Sequence, residues 1–281
     1  MAKGIEILNS GPQCSIQDLG RFGYRKYGVP VSGAMDQYSG KLANALLNNE
    51  ETDSVLELIQ GGAKVRFHSP GLFVLTGADF SPQLNDKSIS MNHIFRANPG
   101  DILNFGKVIY GNCCYLGVKR GFQSERKMGS YSQYQNVTAE PRLVKGDWVN
   151  HFTTKEFPIR GAVVKTNADH FISHLIEVRK GPEFKLLIEK ELNTELTLSP
   201  MSNRMAFQFE ERIKVTKGMG KMLTSSAQPG TVQLTPSGQL VVLMRDCQTT
   251  GGYPRVLQLT ENAINRLAQK KPGDQIQFTL I

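Results

Sequence analysis

The sequence predicts a mainly β protein built as two β-barrel-like domains with a few short helices, and three observations carry that prediction. Short apolar runs bounded by Gly, Pro, Asn or Asp recur along the whole chain, the punctuation expected of short strands in barrels and sandwiches. These runs do not alternate regularly with helical stretches, which disfavours a parallel doubly wound sheet. A turn signature also repeats at distant points: Asn98-Pro99-Gly100-Asp101, Lys271-Pro272-Gly273-Asp274 and, more loosely, Lys145-Gly146-Asp147. Pro followed by Gly suits a type II turn, and Asp at the exit anchors the start of an alternating strand.

In chain order, strands are expected over 4–8, 54–59, 64–67, 72–76, 101–105, 114–118, 159–165, 175–179, 195–198, 240–244 and 275–281. Three helices stand out by apolar spacing. Tyr38, Leu42, Ala45 and Leu46 form one stripe; Phe184, Leu187, Ile188 and Leu192 form a second behind Gly181-Pro182; Ile264, Leu267 and Ala268 form a third after Thr260. All three read as core-facing stripes. Thr166-Asn167-Ala168-Asp169 interrupts the apolar pattern, so an N-terminal domain over 1–170 and a C-terminal domain over 171–281 are expected.

With 281 residues, the chain buries about three quarters of its unfolded surface and has core enough without staples. The N-terminal segment lacks an apolar signal core, and no run reaches the roughly 18 apolar residues of a membrane span, so a cytoplasmic protein is expected. Cys14, Cys113, Cys114 and Cys247 form no CxxC and read as reduced, buried thiols. The net charge of +8 favours anionic partners in general. Its basic residues are scattered, however, and pairs such as Lys119/Arg120 and Lys270/Lys271 read as solvated surface rather than as a nucleic-acid footprint.

Three segments concentrate polar groups on turn-forming backbone. In the first, Gln17, Asp18 and Arg21 are followed by Ser32 and Asp36 among several glycines. Such backbone approaches ligands closely while the side chains supply charge and directional hydrogen bonds; equally, Asp18 and Arg21 form an ion pair while Ser32 or Asp36 caps a helix. The second segment contains Asn203 and Arg204. The third runs from Asp246 through Gln248, Thr249 and Thr250 to Gly251-Gly252. Asp246 ends an apolar run, where a charge needs a partner. Arg204 is a candidate for that partner or for a carboxylate-bearing ligand, and Gln248 to Gly252 either line a polar pocket or form an ordinary turn.

Several signatures are missing. Gly218-Met219-Gly220-Lys221 lacks the upstream glycine and the Ser/Thr of a phosphate loop, no GxGxxG occurs, and Ser32 is not in GxSxG. His170 and His174 are four apart, but no HExxH accompanies them, and no metal site is expected. Lys127-Met128 lacks the preceding Met of a biotin-attachment turn, so no biotin is expected on this chain.

At these polar segments the sequence resembles the carboxyltransferase A/B family, which includes the C subunit of ATP-dependent 5-oxoprolinase, the antagonist of the kinase inhibitor KipI, and the carboxyltransferase domain of urea carboxylase. The resemblance rests on SIQDLGRFGYRKYGVPVSGAMDQYSGKLAN, LELIQGGAKVRF with LTGAD, SPMSNRMAFQFE, and PGTVQLTPSGQLVVLMRDCQTTGGYPRV followed by KPGDQIQF, in that order. It implies cyclophilin-like β-barrel domains, and two partner proteins: a KipI-like B subunit and a lactam-hydrolase-like A subunit. It also implies ATP, bound jointly with a partner. The reaction so implied opens 5-oxoproline to glutamate. Within it Asp18, Asp36 and Asp246 are candidate catalytic groups for proton handling or for holding a metal-nucleotide. Gln17, Arg21, Ser32, Asn203, Arg204, Gln248, Thr249 and Thr250 are candidate substrate-binding groups. Carboxyl transfer to urea or a related amide, and a regulatory role on a KipI-like inhibitor, are the alternatives. One departure stands out: where relatives carry Gly-Ser-Arg-Ser-Thr, this chain has Gly129-Ser130-Tyr131-Ser132-Gln133, replacing a forked cation with a phenol.

Overall fold

The computed structural model describes residues 4–153, 164–215 and 222–281. The chain is mainly β, with three α-helices among those residues, and it divides into two compact units. One comprises Met1–Arg21 and Ser32–Phe171; the other comprises Phe22–Val31 and Ile172–Ile281.

The first unit is a two-sheet structure. One sheet orders Phe122–Gln123, Trp148–His151, Ile5–Ser10, Ala63–Phe67, Ile102–Asn104, Gln83–Leu84 and Lys87–Ser88 as neighbours. The other orders Gln13–Gln17, Val55–Ile59, Tyr110–Val118, Gly71–Asp79 and Ile94–Ala97. Their facing residues form one apolar core: Ile5, Ile7, Val65 and Phe67 from the first sheet meet Ile16, Leu56, Leu58, Leu75 and Leu116 from the second. Period-two side-chain alternation produces this division.

Helix α1 (Gln37–Leu46) covers the outer face of the second sheet. A Cβ on Gly117 would lie 3.0 Å from the Ala43 side chain and 3.3 Å from that of Leu47, so the missing side chain lets the helix seat closely. The expected stripe is rotated relative to the observed one. Ser39, Gly40, Ala43 and Leu46 are buried, whereas Ala45 is exposed and Tyr38 is 42% exposed. Small residues face the sheet because the approach is close, and a pattern read from large apolar residues misses them.

The second unit is built on a seven-stranded sheet ordered Leu196–Thr197, Gln275–Leu280, Leu175–Lys180, Arg255–Leu259, Thr231–Leu234, Leu240–Leu243 and Ala206–Gln208. Its one parallel pairing among the described residues joins Leu175–Lys180 to Gln275–Leu280. Helix α2 (Ala168–Ile172) precedes this sheet in the chain. Helix α3 (Glu261–Ala268) begins where Thr260 accepts the Ala263 amide and buries Ala263, Ile264, Leu267 and Ala268, in agreement with the apolar spacing. The helix expected over Phe184 to Leu192 is instead two 3-10 turns, Phe184–Leu186 and Glu189–Asn193. Ile188 between them is extended, which breaks the 3.6-residue period. The strand expected over 159–165 and the glycine-lysine segment 218–221 lie largely or wholly outside the described residues.

The repeated turns share a full hydrogen-bond pattern. Gly100, Gly146 and Gly273 all have φ between 88° and 96°, the region type II turns require. In each, the Asp amide closes the turn onto the first residue's carbonyl: Asp101 to Asn98, Asp147 to Val144, Asp274 to Lys271. The Asp carboxylate accepts the first residue's amide in return, at 2.7, 2.8 and 3.0 Å. Each turn then docks by its glycine N–H and its Asp C=O onto a single residue of another segment, namely Phe67, Ile7 and Leu198 respectively.

Candidate functional site

In the first unit, the strand Gln13–Gln17 delivers Asp18 into a cradle formed by residues 130–132. The Asp18 carboxylate accepts hydrogen bonds from Ser130 Oγ at 2.7 Å, Ser132 Oγ at 2.6 Å, the Tyr131 amide at 2.7 Å and the Gly20 amide at 2.8 Å. Four donors around one buried carboxylate satisfy its oxygens and fix its orientation. Arg21, fully buried, donates from Nη2 to the Ser132 carbonyl at 2.5 Å, so the same loop holds both expected site residues. Gln133 continues the lattice: its side-chain oxygen accepts the Ile16 amide at 2.9 Å, and its carbonyl accepts from Gln17 Nε2 at 3.3 Å.

Two buried atoms here have no partner among the described residues: Gln17 Oε1 and Ser32 Oγ. Ser32 also has a φ of 57°, an uncommon conformation for a residue with a Cβ. A left-handed conformation and an orphaned hydroxyl each cost about 1–3 kcal/mol. The Gly129–Gln133 loop is the one around Asp18. Tyr131 contributes its amide to Asp18, while the Arg126 guanidinium lies 5.6 Å from the Tyr131 ring centroid, so a cation stands beside this loop.

Asp36 serves the fold directly. It caps α1 by accepting Ser39 N at 3.2 Å and Ser39 Oγ at 2.6 Å, and it lies 2.7 Å from His170 Nε2. Its own amide donates to Tyr115 Oη at 2.8 Å; Tyr115 in turn donates to Glu57 at 2.8 Å, and Glu57 also accepts the Met35 amide at 2.7 Å. Burial first, and the Glu57 carboxylate second, push the Tyr115 phenol well above its usual range. Sequence reasoning does not single out Glu57, Tyr115, Ser130, Ser132 or His170 as site residues. The first two sit in apolar strand runs with no local sign of their role, and the two serines lie over a hundred residues from Asp18.

In the second unit, Arg204 and Asp246 form a forked ion pair, Nε to Oδ2 at 2.7 Å and Nη2 to Oδ1 at 3.2 Å. The Asp246 amide also donates to the Arg204 carbonyl at 2.9 Å. Asn203 Oδ1 accepts the Met205 amide at 2.8 Å, a local turn contact that orients Arg204. Beyond Asp246, Gln248 and Thr250 are exposed and Thr249 is half-buried. Thr250–Gly251 pairs with Ser225–Ser226. A Cβ on Gly251 would sit 2.5 Å from Gln233 Nε2, so the Gln233 amide packs directly on this glycine. Gln233 Nε2 and Ser225 Oγ are buried without partners among the described residues.

No group of three or more His, Cys, Asp or Glu among the described residues is arranged to hold a metal ion. All four cysteines are buried and free; burial pushes the Cys14 and Cys114 thiols far up and Cys247 up to about 11. No helix among the described residues is long and apolar enough to cross a membrane.

Comparison with known proteins adds the decisive observation: the family model for the carboxyltransferase domain, subdomains A and B, matches residues 27–280. The chain belongs to the carboxyltransferase A/B family. Relatives in this family include the 5-oxoprolinase C subunit of Haemophilus influenzae, 30% identical with 99% of this chain and 91% of the relative covered. The Escherichia coli protein of the same name is 31% identical, with 98% and 90% covered. Urea amidolyase of Lachancea kluyveri is 27% identical over 99% of this chain but only 17% of its own length. Among solved structures, K. lactis urea amidolyase superposes with a TM-score of 0.88 at 26% identity, covering all of this chain and 19% of that one. The Kluyveromyces lactis urea carboxylase gives 0.87 at 27% identity, with 27% of that chain covered. The mainly β carboxyltransferase fold is thus shared with domains of larger enzymes.

Proposed function

We propose that this chain is the C subunit of an ATP-dependent 5-oxoprolinase, working with a KipI-like B subunit and a lactam-hydrolase-like A subunit to convert 5-oxoproline to glutamate. The observation that carries this reading is the coverage in both directions: the similarity to two 5-oxoprolinase C subunits extends over nine tenths or more of each chain compared. Urea amidolyases are matched over a small fraction of their length.

A lactam is a poor electrophile, and ATP, as co-substrate, supplies the phosphoryl group that activates its oxygen. No phosphate loop is recognisable in the sequence, so in this reading the nucleotide is held jointly with a partner. Within the chain, Asp18 is a fixed anion whose acceptor capacity is already engaged, which suits it to positioning the Ser130–Ser132 loop more than to moving protons. The Arg204–Asp246 pair stiffens the base of the Gln248–Thr250 segment, whose exposed amide and hydroxyl orient the substrate. Ser32 Oγ and Gln17 Oε1, each lacking a partner among the described residues, are the groups of the first unit best placed by chemistry to gain one from a ligand.

Co-purification of the three subunits, followed by measurement of glutamate formed from 5-oxoproline and ATP, tests the proposal. The complex should turn over, and the isolated chain should be folded but inactive. Robust turnover by the isolated chain would remove the partner requirement. Urea-dependent carboxylation with a biotin carrier, in place of lactam opening, would move the chain to the carboxyltransferase reading that the urea amidolyase likeness favours.

A further inference from the structure

The second unit contains a further cavity, of about 250 Å³, between the Lys180–Pro182 and Ser226–Gln228 segments. Its charged lining is wholly basic: Arg25, Lys180 and Arg255 border it, and no carboxylate among the described residues does. Ser226, Thr231 and Gln228 add neutral polar groups, and the buried Ala227 and Leu257 form an apolar base. Apolar walls lower the local dielectric and strengthen whatever charge contact forms there.

The three cations have different duties. Arg255 is already committed: Glu183 takes its Nε at 3.1 Å and its Nη2 at 3.0 Å, and Nη1 donates to the Ser226 carbonyl at 3.2 Å. Backbone contacts fix this arrangement, since Gly181 N–H donates to the Val256 carbonyl and Glu183 N–H to that of Arg255. A Cβ on Gly181 would fall 2.2 Å from the Arg255 carbonyl, so only glycine permits that docking. Arg255 is therefore a rigid wall. Lys180 has one distant carboxylate, Glu189 at 3.8 Å, with both side chains more than half exposed, and such a pair is worth little in water. Arg25 makes no ion pair among the described residues. Its charge acts on Cys247, where it opposes the upward push of burial on the thiol.

Gln233 is the cross-strand partner of Arg255 and Ser225 precedes Ser226, but neither lines the cavity. Two available cations beside a preset guanidinium wall are the complement of a small, multiply charged oxyanion.

We propose that this cavity is a phosphate-class oxyanion site, taking either orthophosphate or the terminal phosphoryl groups of a nucleotide, with Arg25 and Lys180 as its charge contacts. The claim is independent of which amide the complex processes. Its failure would leave the glutamate assay above unaffected.

Calorimetric titration of the full chain at constant ionic strength tests it, using orthophosphate, ATP and, as a carboxylate control, glutamate. Orthophosphate or ATP should bind at millimolar concentration or tighter, and Arg25→Ala and Lys180→Gln should each weaken binding about tenfold, the scale of one charge-assisted contact. ATP binding more tightly than orthophosphate, and competing with it, would assign the site to a nucleotide tail; equal binding would assign it to free phosphate. Absence of binding by both, unchanged affinity in the variants, or glutamate competing as strongly as phosphate would each overturn the proposal. Lys180 is exposed, so its variant remains informative if Arg25→Ala perturbs folding, which a thermal melt would reveal.

Discussion

Asp18 in the first unit and Asp246 in the second are both buried carboxylates next to a turn, yet each is stabilised by a different device. Asp246 has one concentrated partner, the Arg204 fork. Asp18 has its charge spread over two hydroxyls and two amides. A single guanidinium gives a large interaction that one substitution destroys, whereas a cradle of neutral donors degrades in steps. The first device holds two segments together; the second shapes a loop around an anion.

The largest expected effect follows from the concentrated partner. Arg204→Ala leaves Asp246 buried without its fork, and it should lower unfolding free energy by about 3–5 kcal/mol, the usual result of breaking a buried pair from one side. Arg204→Lys should recover part of this, since it restores charge without the planar fork. Urea denaturation of the three proteins measures it, and a loss in Arg204→Ala below about 1 kcal/mol, the value of a surface pair, would mean that the fork is not desolvated. Activity of the reconstituted complex separates the roles further. A stable Arg204→Lys variant with abolished turnover would place the guanidinium on the ligand.

Ser130→Ala and Ser132→Ala should each cost about 1.5–3 kcal/mol, because each removes one hydrogen bond to a charged group while the remaining donors persist. The double variant sharpens the comparison. Both hydroxyls serve the same carboxylate oxygen, and Ser130 Oγ also accepts the Ser132 amide at 3.0 Å, so the two losses should not add. Strict additivity in denaturation experiments would show that the cradle is a set of independent contacts rather than a unit.

The same contrast explains what is legible in the sequence. Asp246 at the end of an apolar run requires a partner, and Arg204, in a polar segment, is visible as one. The three turns are legible for a similar reason: Gly at the left-handed position and Asp at the exit are local requirements, and all their closing bonds are local. Ser130 and Ser132 are not legible as partners of Asp18, because cross-strand and loop contacts over more than a hundred residues leave no periodic trace. The buried face of α1 escapes a reading based on large apolar residues, since Gly40 and Ala43 face the sheet because they are small. Residues 184–192 carry a helical stripe, but an extended Ile188 splits them, and two short turns bury Leu187 and Leu192 without a continuous helix.

The smallest expected effect concerns the thiols, which distinguish the surroundings of the two units. Cys14 in the first unit is pushed far up by burial, with Asp147 adding to the rise. Cys247 in the second is pushed up only to about 11, because the Arg25 charge opposes burial most strongly among the lowering influences. A thiol whose folded pKa is raised contributes stability that is intact below its ordinary value of 9.0 and is lost as pH rises through about 11. Alkylation of the native protein at neutral pH should therefore be slow at both cysteines, since the thiolate is the reacting form. Raising the pH towards 11 should label Cys247 before Cys14. In Arg25→Ala the Cys247 rate at a fixed alkaline pH should fall, because removing the cation leaves burial and the Asp246 carboxylate to hold the proton. Mass spectrometry of peptides labelled over a pH series measures both rates. Unchanged Cys247 labelling in Arg25→Ala would show that the guanidinium does not act there, and would weaken its placement at the basic cavity as well.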